Sequence, residues 1–281
     1  MSKIDVNQIT KTFGDLTALK NISVHFEENH IYGLLGRNGA GKTTLLNLIT
    51  GKIFPTSGEI LIDGERALEN DKALSKMYCM TELNLYPERM SVKEAFRWSA
   101  QFYPNFDIEY ANTLCTRFEL KANRKIKNLS TGYTSIFKII IALSCGSEIV
   151  IFDEPVLGLD ANHREMFYKE LILNYSNHPR TFILSTHLIE EVASIIDRVV
   201  IIKNGAMIMD DEVQNVLNRG CSVSGPIGLV DEFIKDKKVL GSDTLGGLKS
   251  AYLLGQFHEI PGNLEVGKLD LQKLFIQLTN S

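Results

Sequence analysis

Cysteine, proline and tryptophan are scarce in this chain, and no apolar run is long. Of its 281 residues, four are cysteine, seven proline and one tryptophan. The cysteines, Cys79, Cys115, Cys145 and Cys221, lie scattered. Their spacing fits neither a zinc site nor a disulfide framework, so reduced thiols in a cytosolic setting are expected. No segment approaches the ~20 apolar residues of a membrane span. The longest candidate, FKIIIALSC, is interrupted and far too short. The opening MSKIDVNQIT lacks the apolar core of a signal peptide. Neither sign of charge dominates: 30 Lys and Arg stand against 34 Asp and Glu, a formal net charge of −4. A nucleic-acid partner is therefore not expected as a whole-chain property. Low-complexity stretches and internal repeats are missing, and the length suits one or two domains.

What is present is a change of texture along the chain. LKNISVHF alternates apolar and polar residues, and SGEILIDG reads as a further strand between turns. These predict an antiparallel sheet near the N-terminus, beside a parallel core begun by HIYGLL. From about 70 to 131 strand-like runs vanish and helical spacing takes over, with Phe96, Trp98, Phe102, Tyr103 and Phe106. Ser91 and Glu94 have the spacing of a capping box. Ordinary core packing is the first reading of these aromatics, and a partner-facing patch is the second. EIVIF and TFILS are then buried parallel-strand candidates with a helix between them, from about 161 to 175. RVVIIKNG reads as a later strand. The alternation predicts an α/β core over residues 1–212, with a helical subdomain at about 70–131. Residues 213–281 are expected to form a small C-terminal α+β appendage.

The densest signal is GRNGAGKTT, residues 36–44. An apolar strand candidate precedes it and LLNLIT follows at helical spacing. Strand, glycine loop and helix are the context that a G-x-x-x-x-G-K-[ST] phosphate-binding loop requires. Gly36, Asn38, Gly39, Ala40 and Gly41 bring backbone N–H groups inward without side chains in the way. The next helix offers its N-terminus to the same negative charge. Lys42 would reach the outer phosphates, Thr43 would ligate Mg²⁺ through its hydroxyl, and Thr44 completes the cradle.

Downstream, IVIFDEP ends an apolar strand in Asp153 and Glu154. At a strand's carboxyl end, Asp153 is placed to hold Mg²⁺ through water, and Glu154 to orient and deprotonate an attacking water. Two adjacent acids alone would read as a solvated turn; here they close a buried strand in a phosphate-loop protein. No guanine-reading NKxD-type motif follows, which argues against a GTPase. His187 closes TFILSTH and is a candidate to donate to a γ-phosphate. His25, His30, His163, His178 and His258 are read as ordinary surface or core groups.

Together these residues resemble the ATP-binding cassette (ABC) ATPases, from the first strand to about residue 212. TKTFG is similar to the family's adenine-stacking loop, with Phe13 as the platform. LSTGY stands where the family has its signature, VLGLD is similar to its D-loop with Asp160, and ILSTH to its switch with His187. The resemblance implies ATP and Mg²⁺ as ligands. It also implies head-to-tail pairing with a second cassette, whose Ser130 and Gly132 cap the γ-phosphate bound by the first chain. Two positions depart from the family. Thr131 and Tyr133 replace glycine and glutamine in the signature. Near MYCMTELNLY, where the family usually has a glutamine beside the metal, this chain has Thr81 and Glu82.

The implied role is ATP hydrolysis at the cytoplasmic face of a membrane, powering export through a separately encoded permease. FDEPVLGLD and LSTGY are similar to strings in bacterial drug, antimicrobial-peptide and phenol-soluble-modulin exporter cassettes. Two alternatives stand beside it. One is a regulatory cassette of a heterodimeric transporter that barely hydrolyses ATP. The other is a soluble ABC ATPase acting on ribosomes or DNA, against which a single cassette without a heptad run argues.

Overall fold

A computed structural model describes residues 2–237, 239–255 and 261–280; His258 lies outside them. In chain order the elements begin with β1 (Ile4–Phe13), β2 (Leu16–Phe26), β3 (Ile31–Leu35), α1 (Lys42–Ile49), β4 (Ser57–Ile62), β5 (Glu65–Arg66), α2 (Asp71–Leu74) and β6 (Met77–Met80). Then come α3 (Val92–Phe102), α4 (Ile108–Arg117), α5 (Thr131–Ser144), β7 (Ile149–Asp153), α6 (Ala161–Asn177), β8 (Thr181–Thr186), α7 (Ile189–Val192), β9 (Arg198–Lys203) and β10 (Ala206–Glu212). The last part holds α8 (Val213–Arg219), β11 (Gly220–Pro226), α9 (Ile227–Ile234), β12 (Val239–Leu245), β13 (Leu248–Leu254), β14 (Glu265–Lys268) and α10 (Leu271–Asn280).

Three sheets result. An antiparallel sheet runs β2-β1-β4-β5. The central sheet runs β10-β9-β3-β8-β7-β6, parallel except where β10 returns along β9. Its parallel strands are short apolar runs because both faces are covered. Within β3, Tyr32 and Leu34 face the antiparallel sheet and α1, while Ile31 and Leu35 face the helices. Within β7, Ile149 and Ile151 take the first face, and Val150 and Phe152 the second. The two-residue period of a strand thus divides the core into two layers.

One expectation needs correction. The stretch from 70 to 131 is not free of strands: β6 pairs in parallel with β7, Met77 opposite Ile149 and Met80 opposite Phe152. Four residues at a sheet edge are too few to display a period. The helical part begins at Ser91, where the capping box is complete and the Ser91 N–H donates to Glu94 at 2.7 Å. The aromatics divide. Phe96 and Phe106 are buried with Phe137, whereas Phe102 is 64% exposed.

The C-terminal part forms a third, antiparallel sheet, β12-β13-β11-β14. Val223, Ala251 and Leu253 pack with Val230 and Phe233 of α9 in a small separate cluster. The opposite face is joined to the main body. Tyr252, Leu271, Leu274 and Phe275 belong to the same buried cluster as Phe152 and Leu184 of the central sheet.

Candidate functional site

Parallel strands deliver their carboxyl ends to one edge, where open α/β sheets bind ligands. Here β3, β6, β7 and β8 end together. Leu35 lies opposite Thr186, Asp153 opposite Ser185, and Met80 opposite Phe152. The glycine loop, residues 81 and 82, Asp153 with Glu154, and His187 follow directly from those ends. Residues as far apart in sequence as Gly36 and His187 are brought to one line by strand register.

In the loop, Gly41 sits at φ +112 as the N-cap of α1. Any side chain there would be strained and would meet Leu19 and the Ala18 carbonyl at 2.6 and 2.9 Å. A Cβ on Gly36 would reach the Ile202 carbonyl at 2.7 Å. No side chain caps α1, so its first N–H groups, which lack intrahelical partners, face the loop. Asn38, Gly39 and Thr43 are exposed, Thr44 is half-buried and Ala40 is buried.

Lys42 is 7% exposed, and its Nζ donates to the Gly36 carbonyl at 2.8 Å and lies 3.9 Å from Glu154 Oε1. Burial pulls the lysine's pKa down, against the pull of Glu154 and Asp153. Asp153 is buried, and its Oδ1 has no hydrogen-bond partner; neither does Ser185 Oγ opposite it. A buried carboxylate oxygen without a donor is costly, and a cation relieves that cost. Glu154 takes a left-handed backbone, φ +50, with its N–H on the Ser185 carbonyl at 2.9 Å. That turn aims its carboxylate at His187, Nδ1 to Oε2 2.9 Å. Sparsely populated backbone of this kind is held only where the surroundings enforce it. The donor set therefore fits a phosphate-bound divalent cation: a partnerless carboxylate, an exposed threonine at the helix N-terminus, and Thr81 and Glu82 lining a cavity of about 250 Å³ with Asp153 and Glu154.

Other expected residues stand apart from this group. Phe13 closes β1, 47% exposed, with Lys11 Nζ 4.7 Å from its ring centroid. Ser130 is the N-cap of α5 and accepts from the Tyr133 N–H at 3.3 Å. A Cβ on Gly132 would stand 2.7 Å from the Gly158 carbonyl oxygen, and one on Gly158 would stand 3.0 Å from the Thr131 methyl. Asp160 caps α6, accepting from the His163 N–H at 2.9 Å.

Sequence reading missed two tethers. Ser135 Oγ donates to the Leu157 carbonyl at 2.8 Å, tying α5 to the 157–160 loop. Arg37, inside the glycine loop, donates to Asn280 Oδ1 at 3.2 Å, so the end of α10 touches the loop directly. A partner 243 residues away leaves no local signal.

Known proteins share the sequence pattern and the fold. A model of the family described as ABC transporter matches residues 19–157. The chain is 31% identical over 225 residues to an uncharacterized ABC transporter ATP-binding protein of Methanocaldococcus jannaschii, covering 77% of this chain and 80% of that one. It is 29% identical over 240 residues to the ABC transporter ATP-binding protein YtrB of Bacillus subtilis, covering 85% and 78%. It is 28% identical over 236 residues to the Nod factor export ATP-binding protein I of Rhizobium etli, covering 79% and 73%. Among solved structures, the ATP-binding subunit of an ABC transporter superposes with a TM-score of 0.69 at 23% identity, covering 76% of this chain and 92% of that one. A dimeric bacterial ABC transporter cassette superposes with a TM-score of 0.66 at 25% identity, covering 75% and 98%.

Proposed function

The chain belongs to the ABC transporter family as an ATP-binding subunit, and from that premise we propose that it powers export of a peptide or drug-like molecule through a separate membrane permease. One observation carries the hydrolytic part of the reading. At a single sheet edge, Lys42, Asp153, Glu154 and His187 meet, with one oxygen of Asp153 buried and partnerless. Lys42 leaves the Gly36 carbonyl for the outer phosphates of ATP. The loop N–H groups and the N-terminus of α1 hold the remaining phosphate charge. Thr43 and Asp153, with Thr81 and Glu82 alongside, would hold Mg²⁺, which when bound would neutralise phosphate charge. Glu154 takes the proton of the attacking water, and His187 keeps the carboxylate aimed.

Phe13 supplies the adenine platform. Ser130, Gly132 and Asp160 act on the nucleotide of a second cassette, so the working unit is a dimer at the cytoplasmic face of the membrane. The dimeric bacterial cassette supports that assembly. Export is supported by the Rhizobium relative and by the exporter-like strings at residues 129–133 and 152–160. Leu83, Leu85 and Phe102 are exposed apolar side chains of the stretch that would meet a permease. Among the described residues, no helix is long and apolar enough to cross a membrane, which fits a permease on another chain.

The test is reconstitution in vesicles with a candidate permease. ATP-dependent efflux that disappears with Lys42→Ala is expected; uptake, or efflux indifferent to that change, would overturn the export reading. One observation favours a second reading, a slowly hydrolysing regulatory cassette: Thr131, where the family has glycine, sets its methyl beside Gly158, 3.0 Å from where a Cβ there would stand. Steady ATP turnover by the purified chain would exclude it.

A further inference from the structure

Helix α5 carries one charge in an otherwise apolar run. Residues 136–143 read IFKIIIAL, and every residue but the lysine is at most 1% exposed. Lys138 is itself only 8% exposed. Its ammonium donates to the Thr81 carbonyl at 2.9 Å and the Glu82 carbonyl at 2.8 Å. Burial pulls its pKa down, and nearby Glu82 opposes that pull.

Burying an ammonium is costly, and neutral carbonyls recover only part of that cost. An apolar side chain would pack here without the penalty, as its neighbours do. What an apolar residue cannot do is bond two carbonyls. Those carbonyls lie just beyond β6, whose pairing with β7 ends at Met80, so the sheet ladder no longer supplies donors. The held turn also lines the cavity containing Asp153 and Glu154, together with Lys138 and Thr131. Beyond it the chain emerges to solvent at Leu83 and Leu85.

We propose that Lys138 is a positioning residue for ATP hydrolysis, holding residues 81 and 82 against the cavity of Asp153 and Glu154 from the helix that carries Ser130 and Gly132. The inference rests on the hydrolytic reading above. The clamp sets where the Thr81 and Glu82 side chains stand relative to Glu154. With Ser135 on the Leu157 carbonyl, one helix fixes the loops after β6 and β7 in a common frame. Lys138 therefore acts on turnover and leaves the glycine loop's own grip on nucleotide unchanged.

The experiment compares the full-length wild type with Lys138→Met and Lys138→Arg. It measures kcat and KM for Mg-ATP, ATP affinity in EDTA, melting temperature and amide exchange at residues 81–86. Lys138→Met is expected to lower kcat about 10- to 100-fold, the scale of a misplaced catalytic group. ATP affinity in EDTA should hold within about twofold of the wild type and exchange at 81–86 should quicken, the signs of a displaced loop beside an intact phosphate cradle. Arg, which keeps two donors, should recover most of the rate. In a Thr81→Ala/Glu82→Gln background, adding Lys138→Met should cost less than about threefold, because the perturbations share one target.

A wild-type kcat in Lys138→Met overturns the inference alone. So does a rate loss that Arg does not rescue and that adds fully in the double-mutant cycle, the signature of a merely structural lysine. Should Lys138→Met not fold, Lys138→Gln carries the same comparison. A wild type that neither binds nor hydrolyses ATP would sink the hydrolytic reading, and this inference with it.

Discussion

Replacing Gly132 by alanine tests how tightly the start of α5 is fitted to the loop after β7. An added Cβ would stand 2.7 Å from the Gly158 carbonyl oxygen. Comfortable C···O contacts begin at about 3.3 Å, so one partner must retreat by roughly 0.6 Å. Gly158 lies at φ +80, and α5 is anchored by ten buried residues, so the loop yields rather than the helix. Alanine would otherwise improve the helix by up to about 1 kcal/mol, against an overpacking cost of about 1–3 kcal/mol. The net loss of stability is then about 0–3 kcal/mol. Catalysis is more exacting. If 1 Å of misplacement costs about a hundredfold, 0.6 Å costs on the order of tenfold. Steady-state ATPase assays should show kcat down about tenfold, with ATP affinity of the protomer unchanged because the glycine loop is untouched. Wild-type turnover in a folded Gly132→Ala protein would refute the reasoning. So would a loss of ATP affinity as large as the loss of rate.

Other perturbations have equally direct readouts. Lys42→Ala removes the only side-chain cation assigned to the outer phosphates, so nucleotide affinity by equilibrium dialysis should fall at least about tenfold; unchanged affinity would contradict the assignment. Phe137, fully buried and stacked with Phe96 at 6.3 Å, should cost about 3–5 kcal/mol on change to alanine, read by urea unfolding. For Asp63, burial pushes the pKa up, but hydrogen bonds from Lys76, the Lys3 N–H and Ser2 outweigh it and leave the pKa at about 2. A depressed carboxyl pKa stabilises the fold above its ordinary value of 3.8, and that contribution is lost as pH falls toward 2. Melting temperatures between pH 4.5 and 2.5 should therefore drop less steeply in Asp63→Asn; parallel slopes would refute this.

Much of the site was legible because phosphate chemistry constrains residue types locally. Residues 36–44 could be read without a fold, since glycine at the loop's turning points and a lysine before the threonines leave few other meanings. Asp153 and Glu154 were legible because an apolar strand precedes them. The strand register that sets these groups beside one another was less so, being a property of pairings between distant segments. Strand β6 escaped notice because four edge residues show no period. The division of the aromatics was only partly encoded: Val92, Ala95, Phe96 and Ser99 are the buried face of α3, and Phe102, seven residues on from Ala95, shares that face by spacing yet is exposed as the last residue of the helix. Lys138 had no motif to announce it; only burial among isoleucines, with two carbonyls as partners, marks it. The C-terminal part read as an appendage, yet α10 packs into the main core and touches Arg37, contacts with no trace in local sequence.

The central claim is that a triphosphate is held between two copies of this fold until Glu154 enables its cleavage. Light scattering on Glu154→Gln with Mg-ATP, and again with Mg-ADP, tests it most directly. The account predicts twice the protomer mass with ATP and the protomer mass with ADP. A protein that binds ATP yet stays at the protomer mass under both conditions would contradict it.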